Sequence, residues 1–168
     1  DATLLPSLIR ALEDPDASTR ELAARMLGAL GDSAAPAAET LGGLLSDQAP
    51  RVRVQAAESL RKLGASALPA LQALSAAMRK SDGSAEVPRA MVGIGVPAVD
   101  PLIGMLADDG LALRVRAARC LAGLGPVASA AVPPLVEALR SREADLRACA
   151  ASALGCIRAE AGTVVPLL

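Results

Sequence analysis

Apolar and small residues recur along this chain with the period of an α-helix, and the whole pattern is then repeated. In the first copy, Ala23, Leu27 and Leu30 stand at the i, i+4, i+7 spacing of one helical face. Copies of the pattern occupy residues 20–31, 53–64, 114–125 and 147–158, and a weaker copy occupies residues 84–95. The spacing predicts five amphipathic helices, and the Gly that closes most copies predicts a left-handed helix cap.

The distance between copies is nearly constant. From one block end to the next, at residues 31, 64, 95, 125 and 158, the spacings are 33, 31, 30 and 33 residues. Self-similarity at this period is typical of stacked helical repeats, in which each unit packs only on its neighbours. The sequence therefore predicts an all-α fold of the α-solenoid type.

A second apolar segment precedes each block and predicts the first helix of each repeat. Several of these segments start at or beside a proline such as Pro69, which the first turn of a helix tolerates. The segments are residues 4–12, 37–45, 68–78, 99–106 and 132–139, and polar turns join them to the blocks. We expect about five helix-turn-helix repeats in one domain, 1–168. The units are residues 2–31, 34–64, 67–95, 97–125 and 129–158, with 159–168 starting a further unit.

The third repeat departs from the pattern at Pro88, where the other copies have Ala. Proline removes a hydrogen bond from a helix interior and is tolerated only near the start. The second helix of this repeat is therefore predicted to begin late, near residues 84–87.

Composition excludes most forms of catalysis. The chain has no His, Phe, Tyr or Trp, so it lacks a near-neutral imidazole base and any Ser-His or Cys-His pair. Cys120, Cys149 and Cys156 have no zinc-type spacing, and no phosphate-binding glycine loop follows a strand. We predict a protein that is not an enzyme, holds no metal or cofactor, and resides in a reducing compartment such as the cytoplasm.

Charge and hydropathy narrow the range of partners. With 17 Lys and Arg against 18 Asp and Glu, the net charge of −1 gives no overall attraction to nucleic acid or to an anionic membrane. Charged residues or prolines interrupt every apolar stretch well before the ~20 residues of a membrane-spanning helix. The chain begins at Asp1 without an initiator Met or a signal-peptide pattern, so we expect it to be part of a longer polypeptide.

An arginine opens four of the blocks and forms the most regular polar feature of the sequence. Arg20, Arg53 and Arg114 each follow an aspartate by six residues. The candidate ladder consists of Asp14, Arg20, Asp47, Arg53, Asp108, Arg114 and Arg147. Because a position kept in nearly every repeat serves stacking, we expect these arginines to bind turn carboxylates or carbonyls and to face no pocket. Ligand binding is the alternative.

The blocks resemble the HEAT-like repeats of the phycobilisome-lyase type. The resemblance rests on the strings VRVQAAESLRKLG (52–64), LRVRAARCLAGLG (113–125) and LRACAASALGCIR (146–158), and on the turn aspartates Asp14, Asp47 and Asp108. It implies a packing unit, and we expect a non-enzymatic protein-interaction or scaffold module. The alternatives are a bilin-lyase-like accessory subunit and a nucleic-acid-binding protein, although the latter would need aromatic side chains and a basic groove.

Recognition is expected where the copies differ. The positions that differ lie off the apolar face of the second helix. In HEAT-like solenoids, as the resemblance implies, that side of the second helix lines the concave surface. The candidates there are Arg25, Glu58, Lys62, Arg89, Arg116 and Arg119. Arg89, Arg116 and Arg119 predict a basic patch for an acidic or phosphorylated protein or peptide. Alternatively, these arginines are solvated and cover the Ala-rich helices with their stems.

Apolar residues also lie near both ends of the chain. They are Leu4, Leu5 and Leu8 at one end and Val164, Val165, Leu167 and Leu168 at the other. Solenoids normally protect their termini with polar capping repeats. We therefore expect these apolar faces to be continued by further sequence or buried by self-association.

Overall fold

The computed structural model describes residues 4–80 and 85–157. These residues form α-helices and short 3-10 segments, and no strand occurs among them. The predicted all-α repeat fold is thereby confirmed. The contacts divide the chain into two compact units, residues 1–94 and 95–168. The further repeat and the apolar residues predicted within 159–168 lie outside the described residues.

Unit 1 contains three helix pairs in its described part. They are α1 (Leu4–Ala11) with α2 (Ala17–Ala29), α3 (Ala38–Gly43) with α4 (Pro50–Leu63), and α5 (Leu71–Lys80) with α6 (Glu86–Ile94). The side chain of Asp16 caps α2 by accepting a hydrogen bond from the Thr19 backbone N–H at 2.9 Å. α4 begins at Pro50, and α6 begins at Glu86, within the range predicted from Pro88.

Unit 2 contains two helix pairs in its described part. They are α7 (Val99–Leu106) with α8 (Leu111–Leu124), and α9 (Val132–Ala138) with α10 (Ala144–Ile157). Within each unit the second helices of successive repeats pack side by side, α4 between α2 and α6, and α8 against α10. This is the arrangement that the repeated blocks predict.

Three of the glycines that end the blocks do not form the predicted left-handed caps. Gly64, Gly95 and Gly125 have φ of 55°, 83° and 63°, as expected in sign, but ψ of −126°, −139° and −140°. This region of backbone space is the mirror image of the β region and is open to glycine alone. The difference arises because the chain continues directly into a 3-10 segment rather than closing the helix on itself.

The 3-10 segments between repeats were not predicted. They span Gly31–Ala37, Gly64–Ala70, Val96–Ala98 and Gly125–Ala131, with a further turn at Leu44–Ser46. Pro69 lies inside one of them, and α5 begins after it at Leu71, so the placement of Pro69 at the start of the first helix is wrong. These segments carry no 3.6-residue apolar period that a sequence pattern could detect.

Small residues allow close approach of neighbouring second helices. A Cβ on Gly28 of α2 would lie 2.7 Å from the Oγ of Ser59 and 2.9 Å from its Cα in α4. Ser59 is fully buried, and its hydroxyl lies 2.7 Å from the Ala24 carbonyl oxygen and 2.8 Å from that of Gln55, donating to one at a time. The aromatic-free core therefore gains its density from tight helix spacing.

One apolar stretch of unit 2, Leu111–Ala138, is long and apolar enough to cross a membrane by length and composition. It is not one straight helix, because α8 ends at Leu124 and a 3-10 segment with a positive φ at Gly125 separates it from α9. Each α-helix within the stretch is shorter than the ~20 residues that span a bilayer. The stretch is therefore two helices of successive repeats joined by a 3-10 segment.

Candidate functional site

The first and second repeats are joined by an arginine-aspartate pair at their turns. Arg20 donates from Nε to Asp47 Oδ2 at 2.8 Å and from Nη2 to Asp47 Oδ1 at 2.9 Å. Its Nη1 donates to the carbonyl oxygens of Asp14 and Pro15, at 2.8 Å and 2.9 Å, in the turn of its own repeat. One guanidinium thus closes a turn and links two repeats.

The other repeated arginines also reach turn carbonyls. Arg53 donates from Nη1 to the carbonyl oxygens of Asp47 and Gln48, at 2.9 Å and 3.2 Å. In unit 2, Arg147 makes the same pair of bonds to the carbonyl oxygens of Ser141 and Arg142, at 2.9 Å and 2.8 Å. Arg114 differs, because its Nε donates to the Leu106 carbonyl oxygen at the end of α7, at 3.1 Å.

The turn aspartates fold the chain locally. The Oδ1 atoms of Asp14, Asp47 and Asp108 each accept a hydrogen bond from the backbone N–H two residues later, at 2.8 Å, 2.8 Å and 3.0 Å. Such Asx turns fix the short connection between paired helices. The hydrogen bonds from Arg20 hold the pKa of the Asp47 carboxyl below its usual value.

The expectation that the repeated arginines face no pocket is wrong for Arg53. A cavity of about 220 Å³ opens beside it, lined by Leu45, Ser46, Asp47, Arg53, Ala77, Lys80 and Val87. The cavity is lined by Val87 of α6, close to the late start of this helix at Glu86. The sequence predicted the late start but not the space beside it.

A row of alternating charges runs across the surface of α4 and α6. Arg61 forms two hydrogen bonds to Glu58, from Nε to Oε2 at 2.8 Å and from Nη2 to Oε1 at 2.7 Å. It also lies 3.6 Å from Glu86 of the next second helix. Lys62 lies 3.7 Å from Glu58, and Arg89 donates to Glu86 at 2.7 Å. Within this row, each carboxylate is paired with cations on both sides.

This pairing favours the ionised carboxylate. The hydrogen bonds from Arg61 lower the pKa of Glu58 to about 2, against the opposing effect of partial desolvation. In return, the bond to Glu58 raises the pKa of Arg61. Glu58 and Arg61 are thus both charged at neutral pH.

Two candidate residues at equivalent positions of different repeats lie outside such pairs. Arg25 of α2 and Arg119 of α8 are both exposed, and neither forms a hydrogen bond or ion pair within residues 4–80 and 85–157. Their guanidinium groups are therefore directed to solvent and can bind an external anion.

Arg116 and Arg119 both lie on α8 in unit 2. Arg116 is half-buried, and its positive charge acts on the thiol of Cys120 one turn later. Burial of Cys120 nevertheless dominates and raises its pKa to about 12. This thiol is thus a packing residue rather than a nucleophile at neutral pH.

The candidate residues are distributed over both units. Arg25, Glu58, Lys62 and Arg89 lie in unit 1, where Glu58 contacts Lys62, and Arg116 and Arg119 lie in unit 2. Convergence of Arg89 with the two α8 arginines stays a prediction. Among the residues that the structure describes, no group of three or more His, Cys, Asp or Glu side chains could hold a metal ion.

The sequence matches two family profiles of the same repeat class. The profile of the HEAT repeats matches residues 5–92, and that of the PBS lyase HEAT-like repeat matches residues 113–141. The chain belongs to the HEAT repeat family. Among curated proteins, comparison of sequences gives no match.

Several solved structures are similar to this HEAT repeat chain. An engineered protein is 23% identical over 91% of this chain and 78% of its own, with a TM-score of 0.59. A designed armadillo repeat protein in complex with the peptide (KR)4 is 16% identical over 93% and 82%, with a TM-score of 0.58. The complex of CpcE and CpcF of phycocyanin lyase from Nostoc sp. PCC7120 gives 23% identity over 91% and 99%, with a TM-score of 0.55. At these identities the likeness shows the fold.

One member of the charged row of this HEAT repeat chain was missed by the sequence reasoning. Arg61 connects the second and third repeats, yet it was not among the candidates. The i, i+3 spacing from Glu58 was a signal for the pair within α4. The contact with Glu86 had no such signal, because it depends on the register between two helices.

Proposed function

We propose that this HEAT repeat chain is a non-enzymatic module that binds an acidic or phosphorylated segment of a partner protein. HEAT and armadillo repeats form a scaffold fold for protein interaction. The binding surface in the proposal is the expected concave surface lined by the second helices, where the candidate residues of each unit lie. The three free cysteines, one of them buried, suit a reducing compartment, and we place the module in the cytoplasm.

The observation that carries the proposal is a contrast between two sets of arginines. The repeated arginines Arg20, Arg53 and Arg147 donate to carbonyl groups of their own turns. The arginines at the varied position, Arg25 and Arg119, are exposed and make no such bond within the described residues. Side chains that the fold does not use, at positions that differ between repeats, are suited to recognition.

The sign of the exposed charge favours an anionic partner. Five of the six candidate positions are cationic, and Glu58 is the exception. Guanidinium groups bind carboxylates and phosphates through two parallel hydrogen bonds, which gives direction as well as attraction. A designed relative of the same fold binds the basic peptide (KR)4. The surface of the present chain favours a partner of the opposite, negative charge.

Anisotropy of a labelled deca-glutamate peptide, titrated with the protein at two salt concentrations, tests this function. We expect binding that weakens as salt rises, and no binding of (KR)4. The variants Arg25→Glu and Arg119→Glu should each weaken binding at least threefold. Arg142→Glu is the matched control, because this exposed arginine lies in a turn outside the second helices.

Two results would contradict the proposal. If both charge-reversal variants and the control bound deca-glutamate with equal affinity, the second-helix arginines would have no role in binding. Preference for (KR)4 over deca-glutamate would reverse the sign of the partner. Circular dichroism of each variant ensures that a loss of binding is not a loss of helix.

A role as an accessory subunit of a bilin lyase is a second candidate. It is favoured by the likeness to the CpcE and CpcF complex, which extends over 99% of that chain. Absorbance spectra of the protein mixed with a free linear tetrapyrrole distinguish the two roles. A red shift and co-elution of pigment would support this second role, and an unchanged spectrum would leave the peptide-binding role.

A further inference from the structure

One flank of α2, the side turned away from α4, is exposed and apolar. Leu22, Met26 and Leu30 lie there at helical spacing, with exposed fractions of 46%, 40% and 38%. Residues at i, i+4 and i+8 share one side of a helix, so the three side chains form a continuous stripe. We call this stripe the α2 flank.

The corresponding flank is buried in the other second helices. The residues equivalent to Met26 are Ser59, Ala90, Cys120 and Ala153, and those equivalent to Leu30 are Leu63, Ile94, Leu124 and Ile157. All eight are buried, whereas Met26 and Leu30 are not. In the first interface the covering element is known, because Ser59 of α4 packs on Ala24 and Gly28 of α2. The α2 flank thus has the position of a repeat interface without its neighbour.

The side of α10 turned away from α8 has the complementary shape. Ala151 and Gly155 stand where α2 has Ala24 and Gly28, and both are exposed. A Cβ on Gly155 would meet nothing within 4 Å, whereas one on Gly28 would meet Ser59 at 2.7 Å. We call this side the α10 flank. Its small residues leave room for a larger side chain such as Met26.

The arginine ladder is open at the same two places. Arg20 uses Nη1 for its own turn and the remaining guanidinium nitrogens for Asp47 of the next repeat. Arg147 uses Nη1 in the same way, but its Nε and Nη2 have no acceptor in the described part of the chain. The Asp14 carboxylate accepts the Asp16 backbone N–H, as that of Asp47 accepts the Ala49 N–H, but it accepts no arginine within the described residues.

We infer that a second copy of this chain docks head to tail, with the α2 flank of one copy on the α10 flank of the other. Arg147 then binds Asp14 of the second copy, as Arg20 binds Asp47 within one chain. The inference uses the flanks of the repeats and is independent of the partner proposed for the expected concave surface. Because the α2 flank and the α10 flank are different surfaces, each added copy leaves one α2 flank and one α10 flank free at the ends of the assembly. Association is therefore open-ended.

Sedimentation velocity at protein concentrations from about 1 to 200 μM tests the inference. The wild-type chain should form dimers and longer species as concentration rises. Met26→Glu blocks the α2 flank and Ala151→Glu blocks the α10 flank, so each variant alone should remain a monomer. Ala76→Glu, on the exposed side of α5, is the matched control and should associate like the wild type.

Mixing the two blocked variants gives the sharpest result. Met26→Glu retains its α10 flank and Ala151→Glu retains its α2 flank, so an equimolar mixture should form a dimer that grows no further. Replacing Arg147 by Ala should weaken wild-type association at least fivefold. Circular dichroism shows whether each variant is folded, and these substitutions at exposed helix positions place Glu, a good helix former.

Three outcomes would overturn the inference. A wild-type chain that is monomeric throughout would show that another repeat or partner, rather than a second copy, covers the α2 flank. Association of Ala151→Glu alone would indicate a symmetric contact between two α2 flanks. Association of Met26→Glu at wild-type strength would remove the α2 flank from the interface.

Discussion

Arg20 and Asp47 form a bidentate pair that joins two repeats across 27 residues of sequence, with N–O distances of 2.8 Å and 2.9 Å. Their side chains are only 15% and 7% exposed. Partial exclusion of water strengthens such a pair, and removal of either partner leaves the other one poorly solvated. This contact makes the turn of one repeat part of the packing of the next.

The first prediction concerns the stability that Asp47 provides. Asp47→Ala removes the Arg20 pair and the Asx turn together, and we expect a loss of about 1–3 kcal/mol in the free energy of unfolding. Asp14→Ala is the matched control, because Asp14 has the same local turn but its carboxylate accepts no arginine hydrogen bond within the described residues. Urea unfolding followed by circular dichroism measures both. Equal losses would mean that the inter-repeat pair contributes nothing.

The second prediction concerns acid unfolding. The folded-state pKa of Glu58 is about 2, below its ordinary 4.5, so its ion pair stabilises the fold above about pH 4.5. That contribution is lost as the pH falls from about 4.5 to 2, because the unfolded state then binds the proton first. The depressed pKa of Asp47 acts in the same direction. Glu58→Gln should flatten the dependence of the free energy of unfolding on pH below 4.5. An unchanged slope would contradict the lowered pKa of Glu58.

The third prediction concerns the closest helix contact. Gly28→Ala places a methyl group 2.7 Å from the Ser59 Oγ and 2.9 Å from its Cα, so the helices must separate. We expect a loss of about 1–3 kcal/mol from overpacking, despite the better helix propensity of Ala. Gly104→Ala, where a Cβ meets nothing within 4 Å, should instead gain about 0.5–1 kcal/mol. Thermal unfolding distinguishes them, and destabilisation by both variants would show that packing is not the cause.

The fourth prediction concerns thiol reactivity. Cys120 is buried and its pKa is raised to about 12, whereas Cys156 is exposed. At pH 8 iodoacetamide should therefore alkylate Cys156 first and Cys149 next, and reach Cys120 only when the chain unfolds. Peptide mass spectrometry over time gives the order of modification. Early labelling of Cys120 in the folded chain would contradict its burial.

Repeated positions allowed the helices to be predicted, since the second helices α2, α4, α8 and α10 all coincide with matching blocks. Even the late start of α6 followed from Pro88. The link between Arg20 and Asp47 was harder to predict, because sequence spacing pairs Arg20 with Asp14 of its own turn. The pairing with the next repeat depends on how far the second helices are offset.

The other contacts on the surface depend on the register between neighbouring helices, which a single sequence does not specify. Arg61 reaches Glu86 only because α4 and α6 lie side by side at a particular offset. Met26 is larger than the residues at the equivalent positions of the other second helices, and the sequence shows this difference. Only the structure shows that those smaller residues are buried in an interface between repeats. The 3-10 segments escaped prediction because Ala and Pro, which fill them, also suit helix starts.

The central claim is that repeated arginines hold the repeats together whereas varied arginines bind the partner. The most direct measurement is a deca-glutamate anisotropy titration of two variants, Asp47→Ala and the double variant Arg25→Glu with Arg119→Glu, at a temperature where both are folded. The account predicts that Asp47→Ala lowers the Tm but keeps the Kd within twofold, and that the double variant keeps the Tm but raises the Kd at least tenfold. Loss of binding in Asp47→Ala with unchanged binding in the double variant would contradict it.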